Sequence, residues 1–171
     1  MPRYVAFLRG VSPVNARMPD LKRCFESAGF QDVRTVLASG NVVFSSRTSS
    51  EATLARKAEA AMQEMMGRKF ATIVKSATFL QVLVDEDHHA RFDLPDGAKR
   101  VVTFLRAAPQ SRVALPIEKD GAVILGRVGT EVFTAYVPNA RGPVFMTLLE
   151  KAFGSEITTR TLDTIRKCAR A

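Results

Sequence analysis

The residues best suited to chemistry lie in the loop after the first predicted strand and in a turn further along the chain. Six of them carry groups that bind anions or shape turns: Arg9, Gly10, Asn15, Arg17, Ser39 and Asn41. Guanidinium groups bind phosphate or carboxylate through two parallel hydrogen bonds, and a helix start adds backbone N–H groups and a favourable dipole. The spacing predicts an anion pocket at the start of the first helix, with Ser39 and Asn41 at its edge if the turn lies nearby.

Each of these residues also has an ordinary structural explanation. Arg9 can be an edge charge, Gly10 can meet a conformational need, and Asn41 can form a turn. The sequence contains no phosphate-binding loop and no dinucleotide-binding fingerprint that would support the pocket. Without such a motif, the structural explanation is favoured over the pocket.

A second group of reactive side chains is the run Asp-Glu-Asp-His-His at residues 85–89, followed by Asp93. These are metal-ligand types, but sequence neighbours do not easily converge on one ion, and no distant cluster has ligand spacing. We interpret the run as a solvated helix end. The sequence therefore predicts neither a metal site nor a cofactor.

Patterns typical of catalysis are missing from the sequence. It shows no Ser-His-Asp order, no Cys-His pair and no paired carboxylates with an evident cleft. Cys24 and Cys168 fall on the apolar sides of predicted helices, where a thiol packs as a small hydrophobe. The sequence favours a protein that is not an enzyme, although a transferase that acts by positioning its substrate stays open.

The charge of the chain is +8, and most of it lies in the first half. Residues 1–75 carry 12 Lys and Arg against 6 Asp and Glu, whereas residues 76–171 carry 13 against 11. Such a surplus favours anionic partners, including nucleic acid, without establishing one. Tyr4, Phe7 and Phe44 lie on predicted strands but lack the glycine-aromatic signature of RNA-binding sheets. Basic residues that could still bind phosphates are Lys22, Arg23, Arg56, Lys57, Arg68 and Lys69.

The elements that position these residues are organised around a predicted β-hairpin at residues 34–45, which turns at Ser-Gly-Asn. A strand at 4–9 and a helix from about Pro19 precede it, and a helix capped by Thr48 and Glu51 and a strand at 70–74 follow. The order β-α-β-β-α-β is that of a ferredoxin-like fold. The second half repeats it with a shrunken first helix and an added last one. We therefore predict an α+β protein with antiparallel sheets in three segments: a ferredoxin-like unit at 1–75, a helix and connection at 76–99, and a modified unit with a C-terminal helix at 100–171.

Composition and hydropathy limit the class of protein to which this fold belongs. Apolar residues make up 46% of the chain and charged residues 25%, as in ordinary soluble proteins, and no apolar run is long enough to span a bilayer. The start of the chain lacks the pattern of a signal peptide, which predicts a cytoplasmic protein without a membrane partner. Both faces of the predicted strands are apolar, so we expect the second face to be covered by the other half of the chain or by a second copy, as in a homodimer.

Several motifs resemble those of a bacterial family known as domain-of-unknown-function family 1697. They lie at residues 7–11 (FLRGV), 18–21 (MPDL), 29–35 (GFQDVRT) and 39–44 (SGNVVF), and residues 148–154 and 158–160 resemble the closing motifs of that family. The resemblance implies a two-part α+β fold and no assigned reaction. Three stretches depart from the family's usual pattern, namely 11–17, 141–147 and 161–163, so a ligand site present in relatives can be altered or lost here.

These observations lead to three functional hypotheses. The leading one is a non-catalytic binding module for an anionic small molecule or nucleic acid. The second is an enzyme that acts on a phosphorylated or carboxylated metabolite at the loop from Arg9 to Arg17. The third is an interaction or oligomerisation scaffold. Loss of binding in Arg9→Ala, dependence on salt and mass in solution distinguish the three.

Overall fold

The computed structural model describes residues 1–109, 112–138 and 144–171, which form two compact units. The first unit consists of Met1–Val84 together with Ile165–Ala171, and the second of Asp85–Thr164. The last seven residues thus group with the first unit by contact. The three-segment division at residues 75 and 99 stays a prediction about organisation along the chain.

The first unit is a four-stranded antiparallel sheet in the order β2-β3-β1-β4. The second strand along the chain forms one edge and the fourth forms the other, which is the strand order of a ferredoxin-like fold. The sequence-based fold class is therefore confirmed for this half. Its elements are β1 (Arg3–Leu8), α1 (Met18–Ser27), β2 (Gln31–Thr35), β3 (Asn41–Ser45), α2 (Glu51–Met66), β4 (Thr72–Ser76) and α3 (Ala77–Glu86).

The core of this unit follows from the alternation of its strands. Tyr4, Ala6 and Leu8 point from β1 into a cluster that also contains buried residues of α1 and α2. On the opposite face, Val5 and Phe7 are fully buried as well. Both faces of β1 are therefore buried, as the apolar residues on each face predict.

The hairpin differs from the predicted one at its turn. The strands end at Thr35 and begin again at Asn41, with a five-residue connection between them instead of a tight Ser-Gly-Asn turn. The carbonyl of Gly40 accepts a hydrogen bond from the Leu8 N–H at 2.8 Å, so it pairs with β1. The Asn41 carbonyl accepts from Val36 N–H at 2.9 Å and closes the connection.

The start of α2 also differs from the prediction. Ser50 is the N-cap, and its hydroxyl accepts the Thr53 N–H at 3.1 Å, so the predicted cap by Thr48 is wrong. The Glu51 carboxylate does not complete a capping box with Thr48, because it accepts the N–H of Ser76 at 2.8 Å. A tertiary hydrogen bond thus replaces the local one.

The second unit contains a five-stranded antiparallel sheet in the order β6-β7-β8-β5-β9. Four of these strands, in the order β7-β8-β5-β9, repeat the arrangement β2-β3-β1-β4 of the first unit, which confirms the repeat of topology. Its elements are β5 (Lys99–Leu105), β6 (Ile117–Lys119), β7 (Ala122–Val128), β8 (Glu131–Tyr136), α4 (Val144–Phe153), β9 (Ile157–Thr161) and α5 (Leu162–Arg170).

The two halves differ in the element that follows the first strand of each, and they share a helix that follows the last strand. The described residues between β5 and β6 contain no helix, and β6 adds an edge strand beside β7. After the last strand of each half, a helix begins at once. Ser76 caps α3 by accepting the Phe79 N–H at 3.1 Å, and Thr161 caps α5 by accepting the Thr164 N–H at 3.2 Å. The repeated unit therefore includes the helix that follows its last strand. No helix in the described part of the chain is long and apolar enough to cross a bilayer.

Candidate functional site

Three loops of the first unit meet at the end of the sheet where β1 stops. The Leu8 N–H donates to Gly40, and the Arg9 N–H donates to the Ala71 carbonyl at 2.9 Å. These bonds bring the segments 9–17, 36–40 and 67–71 together, and we call this region the cationic end. It contains four basic residues and no acidic residue: Arg9, Arg17, Arg68 and Lys69.

Asn15 shapes the first of these loops. Its Nδ2 donates to the Gly10 carbonyl at 2.7 Å, and its Oδ1 accepts the Ser12 N–H at 2.8 Å. The Ser12 carbonyl accepts the N–H groups of Asn15 and Ala16 in turn. The amide of Asn15 is therefore used within the loop, so this predicted site residue fixes the path of the chain between Arg9 and Arg17.

Gly40 sets the distance between the hairpin connection and this loop. A Cβ on Gly40 would lie 3.0 Å from both the Leu8 carbonyl oxygen and the Val11 Cβ, at a φ of +83°. Only glycine accommodates that approach together with that conformation. The structure thus brings the connection, including the exposed Ser39, against the loop, as the predicted pocket requires.

Asn41 is the predicted site residue that faces away from solvent. It is fully buried, and its Nδ2 donates to the Val36 carbonyl at 2.9 Å and to the Ser39 hydroxyl at 3.0 Å. Asn41 therefore positions the connection and Ser39 from inside the fold.

The start of α1 offers fewer backbone donors than the prediction assumed. Arg17 is the N-cap without a side-chain cap, and Pro19 in the first turn has no N–H. The N–H groups of Asp20 and Leu21 both donate to the Arg17 carbonyl. The carboxylate of Asp20 lies in the first turn as well and pairs with Arg23. Attraction for an anion at this end must therefore come mainly from side-chain cations.

Arg68 and Lys69 are members of the cationic end that the sequence analysis named only as possible phosphate contacts and did not include in the predicted pocket. Both are exposed, and the Arg68 guanidinium lies over the ring of Phe70, with 4.6 Å between its Cζ and the ring centroid. The available signal was topological, because β4 pairs with β1 in a ferredoxin-like sheet. The residues before β4 must then lie beside those after β1.

The aromatic residues of the sheet are not available to a nucleic acid. Tyr4 is 4% exposed, and Phe7 and Phe44 are fully buried. RNA-binding sheets of this fold stack bases on exposed aromatics of the central strands. A nucleic acid that binds the first unit must therefore contact it through other residues.

The two histidines of the second unit contact residues of its sheet. Asp85 and Glu86 are exposed as expected, but His89 is 1% exposed, so the solvated interpretation is wrong for it. Its Nε2 lies 3.1 Å from the carbonyl oxygens of both Val101 and Thr134. Burial lowers the pKa of His89 below its ordinary 6.5, outweighing the opposite effect of these hydrogen bonds. His88 stacks on Phe133 with 4.4 Å between ring centroids.

Within 1–109, 112–138 and 144–171, no three His, Cys, Asp or Glu residues form a group that could hold a metal ion.

The cysteines are packed in the interior. Cys24 is 1% exposed and Cys168 is fully buried, which confirms the predicted packing. Burial raises the pKa of the Cys24 thiol, with a smaller contribution from Asp20. The thiolate, which is the nucleophilic form, is therefore disfavoured at Cys24.

A small groove of about 80 Å³ lies in the second unit and contains none of the predicted site residues. Its walls are mostly apolar, with one carboxylate from Glu118 and the ring of Tyr136, which stacks on Phe145 at 4.1 Å. The remaining lining residues are Leu94, Pro95, Ala98, Gly121, Val123, Ala135 and Val137.

Known proteins share both this fold and part of this sequence. The structure of conserved bacterial protein SP0830 from Streptococcus pneumoniae superposes with a TM-score of 0.71 and 19% sequence identity, covering 99% of this chain and 97% of that one. At such identity the likeness establishes the fold alone. The comparison with curated proteins finds no match. The family described as protein of unknown function DUF1697 matches residues 1–127, which include the loop from Arg9 to Arg17 and the motif at 39–44 but not the motifs after residue 147. The match spans most of the sequence, and the chain therefore belongs to the DUF1697 family.

Proposed function

We propose that this protein is a non-catalytic binding module that takes an anionic ligand at the cationic end of its first unit. The observation that carries the proposal is the meeting of three loops that hold four basic residues and no acidic one. Arg and Lys at such a site attract phosphate or carboxylate groups, and Arg can bind them through two hydrogen bonds. The surplus of positive charge in residues 1–75 adds to the attraction at longer range.

The architecture supports a preformed site. Asn15 holds the loop from Arg9 to Arg17, and Asn41 holds Ser39 from within the core. The third segment is fixed to β1 by the hydrogen bond between Arg9 and Ala71. Because these backbones are ordered before binding, a ligand pays mainly for immobilising the arginine and lysine side chains.

Binding is favoured over catalysis by the composition of the site. The segments 9–17, 36–40 and 67–71 contain no His, Cys, Asp or Glu, the residue types that most often act as general acids, bases or nucleophiles. An enzyme at this position would need such a group from elsewhere or from its substrate. Positioning of an anion needs only the groups present.

The proposal is tested by calorimetric titration of the full chain with tripolyphosphate, a phosphate chain without any aromatic group. We expect binding at low salt that weakens at about 0.15 M salt, because exposed charges are screened over about 8 Å there. Arg9→Ala should weaken binding about tenfold, the equivalent of one charge-assisted hydrogen bond of roughly 1.5 kcal/mol.

Arg47 provides the matched control. It is exposed and follows β3 at the opposite end of the sheet, where Ser46 bonds to Pro2. Arg47→Ala removes the same charge and should change the affinity less than twofold. Equal weakening by both variants would show that only net charge matters, and no binding at low salt would refute the proposal.

A further inference from the structure

The cationic end contains a planar cation that lies over a buried aromatic residue. The Arg68 guanidinium lies over the ring of Phe70, a residue that is 3% exposed, while Arg68 itself is exposed. The guanidinium therefore has a buried aromatic ring on one side and is accessible to solvent on another. Cation–π attraction favours this position.

The backbone beneath this cation is fixed to the rest of the site. The Thr72 hydroxyl donates to the Phe70 carbonyl at 2.8 Å, and the next carbonyl, that of Ala71, accepts the Arg9 N–H. The guanidinium of Arg68 and the loop that begins at Arg9 thus belong to one ordered surface.

Other cations over aromatic rings in this unit lack these properties. Lys57 lies 5.2 Å from the Phe30 centroid and Lys75 lies 5.4 Å from the Phe79 centroid. An ammonium group is compact and has no plane on which a second ring can stack. Arg68 is the member of this set whose cation is planar.

Resting on the proposed function, we propose that the anion bound at the cationic end carries an aromatic base, as in a nucleotide or a single-stranded nucleic acid. The base stacks on the outer face of Arg68, and its phosphate binds to the remaining cations, Arg9, Arg17 and Lys69. Unstacked bases are recognised in this way by arginine planes as well as by aromatic rings. A base inside a duplex is already stacked on its neighbours, so single strands and free nucleotides fit this surface and duplexes do not.

The test compares three probes that carry phosphate: a single-stranded oligothymidylate, an abasic oligonucleotide of the same length and charge, and thymidine monophosphate. Affinities of the full chain are measured by competition against a labelled oligothymidylate, together with the tripolyphosphate titration. The variant Arg68→Lys keeps the charge and removes the plane, and Arg47→Lys makes the same change at the opposite end of the sheet.

We expect oligothymidylate to bind at least fivefold more tightly than the abasic strand, since stacking of one base contributes about that factor or more. Arg68→Lys should reduce this preference to less than twofold while changing abasic binding less than twofold, and Arg47→Lys should change neither. If thymidine monophosphate binds as tightly as oligothymidylate, the ligand is a nucleotide. If thymidine monophosphate binds more weakly, the ligand is a single strand.

Two results overturn the inference in distinguishable ways. Equal binding of thymidylate and abasic strands by the unchanged protein would refute base stacking and leave anion binding intact. Absence of binding to every probe at low salt, tripolyphosphate included, would refute both proposals together.

Discussion

Replacement of Gly40 by alanine tests the close approach on which the candidate site depends. The new Cβ would lie 3.0 Å from the Leu8 carbonyl oxygen and from the Val11 Cβ, and the φ of +83° disfavours any side chain. The Leu8 oxygen belongs to the backbone of a central strand, so it cannot move away as a flexible side chain could. The connection must shift, and its hydrogen bond from Leu8 N–H to the Gly40 carbonyl is strained with it.

The magnitude follows from two separable costs. The left-handed conformation costs alanine about 1–2 kcal/mol, and the enforced displacement costs a further 1–3 kcal/mol or so. Gly10 has the same φ of +83° but nothing within 4 Å of its hypothetical Cβ, so Gly10→Ala carries the first cost alone. The difference between the two variants therefore isolates the contact.

Urea unfolding followed by far-ultraviolet circular dichroism measures both variants. With a slope of about 2 kcal/mol per molar urea, we expect Gly40→Ala to lower the midpoint by about 1–2.5 M and Gly10→Ala by about 0.5–1 M. If Gly40→Ala proves no more destabilising than Gly10→Ala, the hairpin connection does not press on the loop, and the geometry of the cationic end is refuted.

Two further predictions concern the remaining structure. Because burial lowers the pKa of His89, this histidine binds a proton more readily in the unfolded chain than in the folded one. Its contribution to the free energy of unfolding is therefore fully present above pH 6.5 and falls as the pH drops from that value towards the lowered pKa. His89→Gln should flatten this slope in urea midpoints measured between pH 8 and pH 5, and an unchanged slope would assign it to other groups. Ser76→Ala and Thr161→Ala should each cost about 1 kcal/mol, because each removes an N-cap at the equivalent point of the repeat. A cost at Ser76 with none at Thr161 in the same unfolding assay would contradict the equivalence of the two caps.

The order of elements could be predicted because its signals are local. The strand predicted at 4–9 is found at Arg3–Leu8, and the helix predicted from Pro19 begins at Met18. A short run of apolar residues and a proline in the first turn are properties of a few neighbouring residues. The second half was recognised as a repeat for the same reason, since residues 101–106 match residues 4–9 in length and in their final Phe-Leu-Arg.

Features that depend on distant partners could not be predicted in this way. Thr48, Ser49 and Ser50 are all chemically able to cap α2, and the choice is accompanied by the commitment of Glu51 to Ser76, 25 residues away. His89 lies in a polar run that looks solvated, and its partners become visible only when β5 pairs with β8.

The residues of the candidate site also fall into a group that local sequence could predict and a group that depends on distant pairing. Arg9, Gly10, Asn15 and Arg17 form one short loop, so they could be grouped from their spacing. The stretch 141–143, where the sequence departs from its relatives, lies outside the described residues. Arg68 and Lys69 are separated from Arg9 by most of the first unit, and pairing of β1 with β4 brings them to the same end.

The contact of Arg3 with the last residue of the chain has a consequence for biosynthesis. Its guanidinium donates to the carbonyl of Ala171 at 3.3 Å as well as to that of Asp32 at 2.8 Å, within a unit that includes Ile165–Ala171. In a nascent chain the four strands of this unit are made before the second unit, whereas residues 165–171, which complete it, are made after the whole of the second unit. Domains usually fold in the order in which they are made. Here the segment that completes the first unit is made only after the second unit, so folding in the order of synthesis cannot by itself complete the first unit.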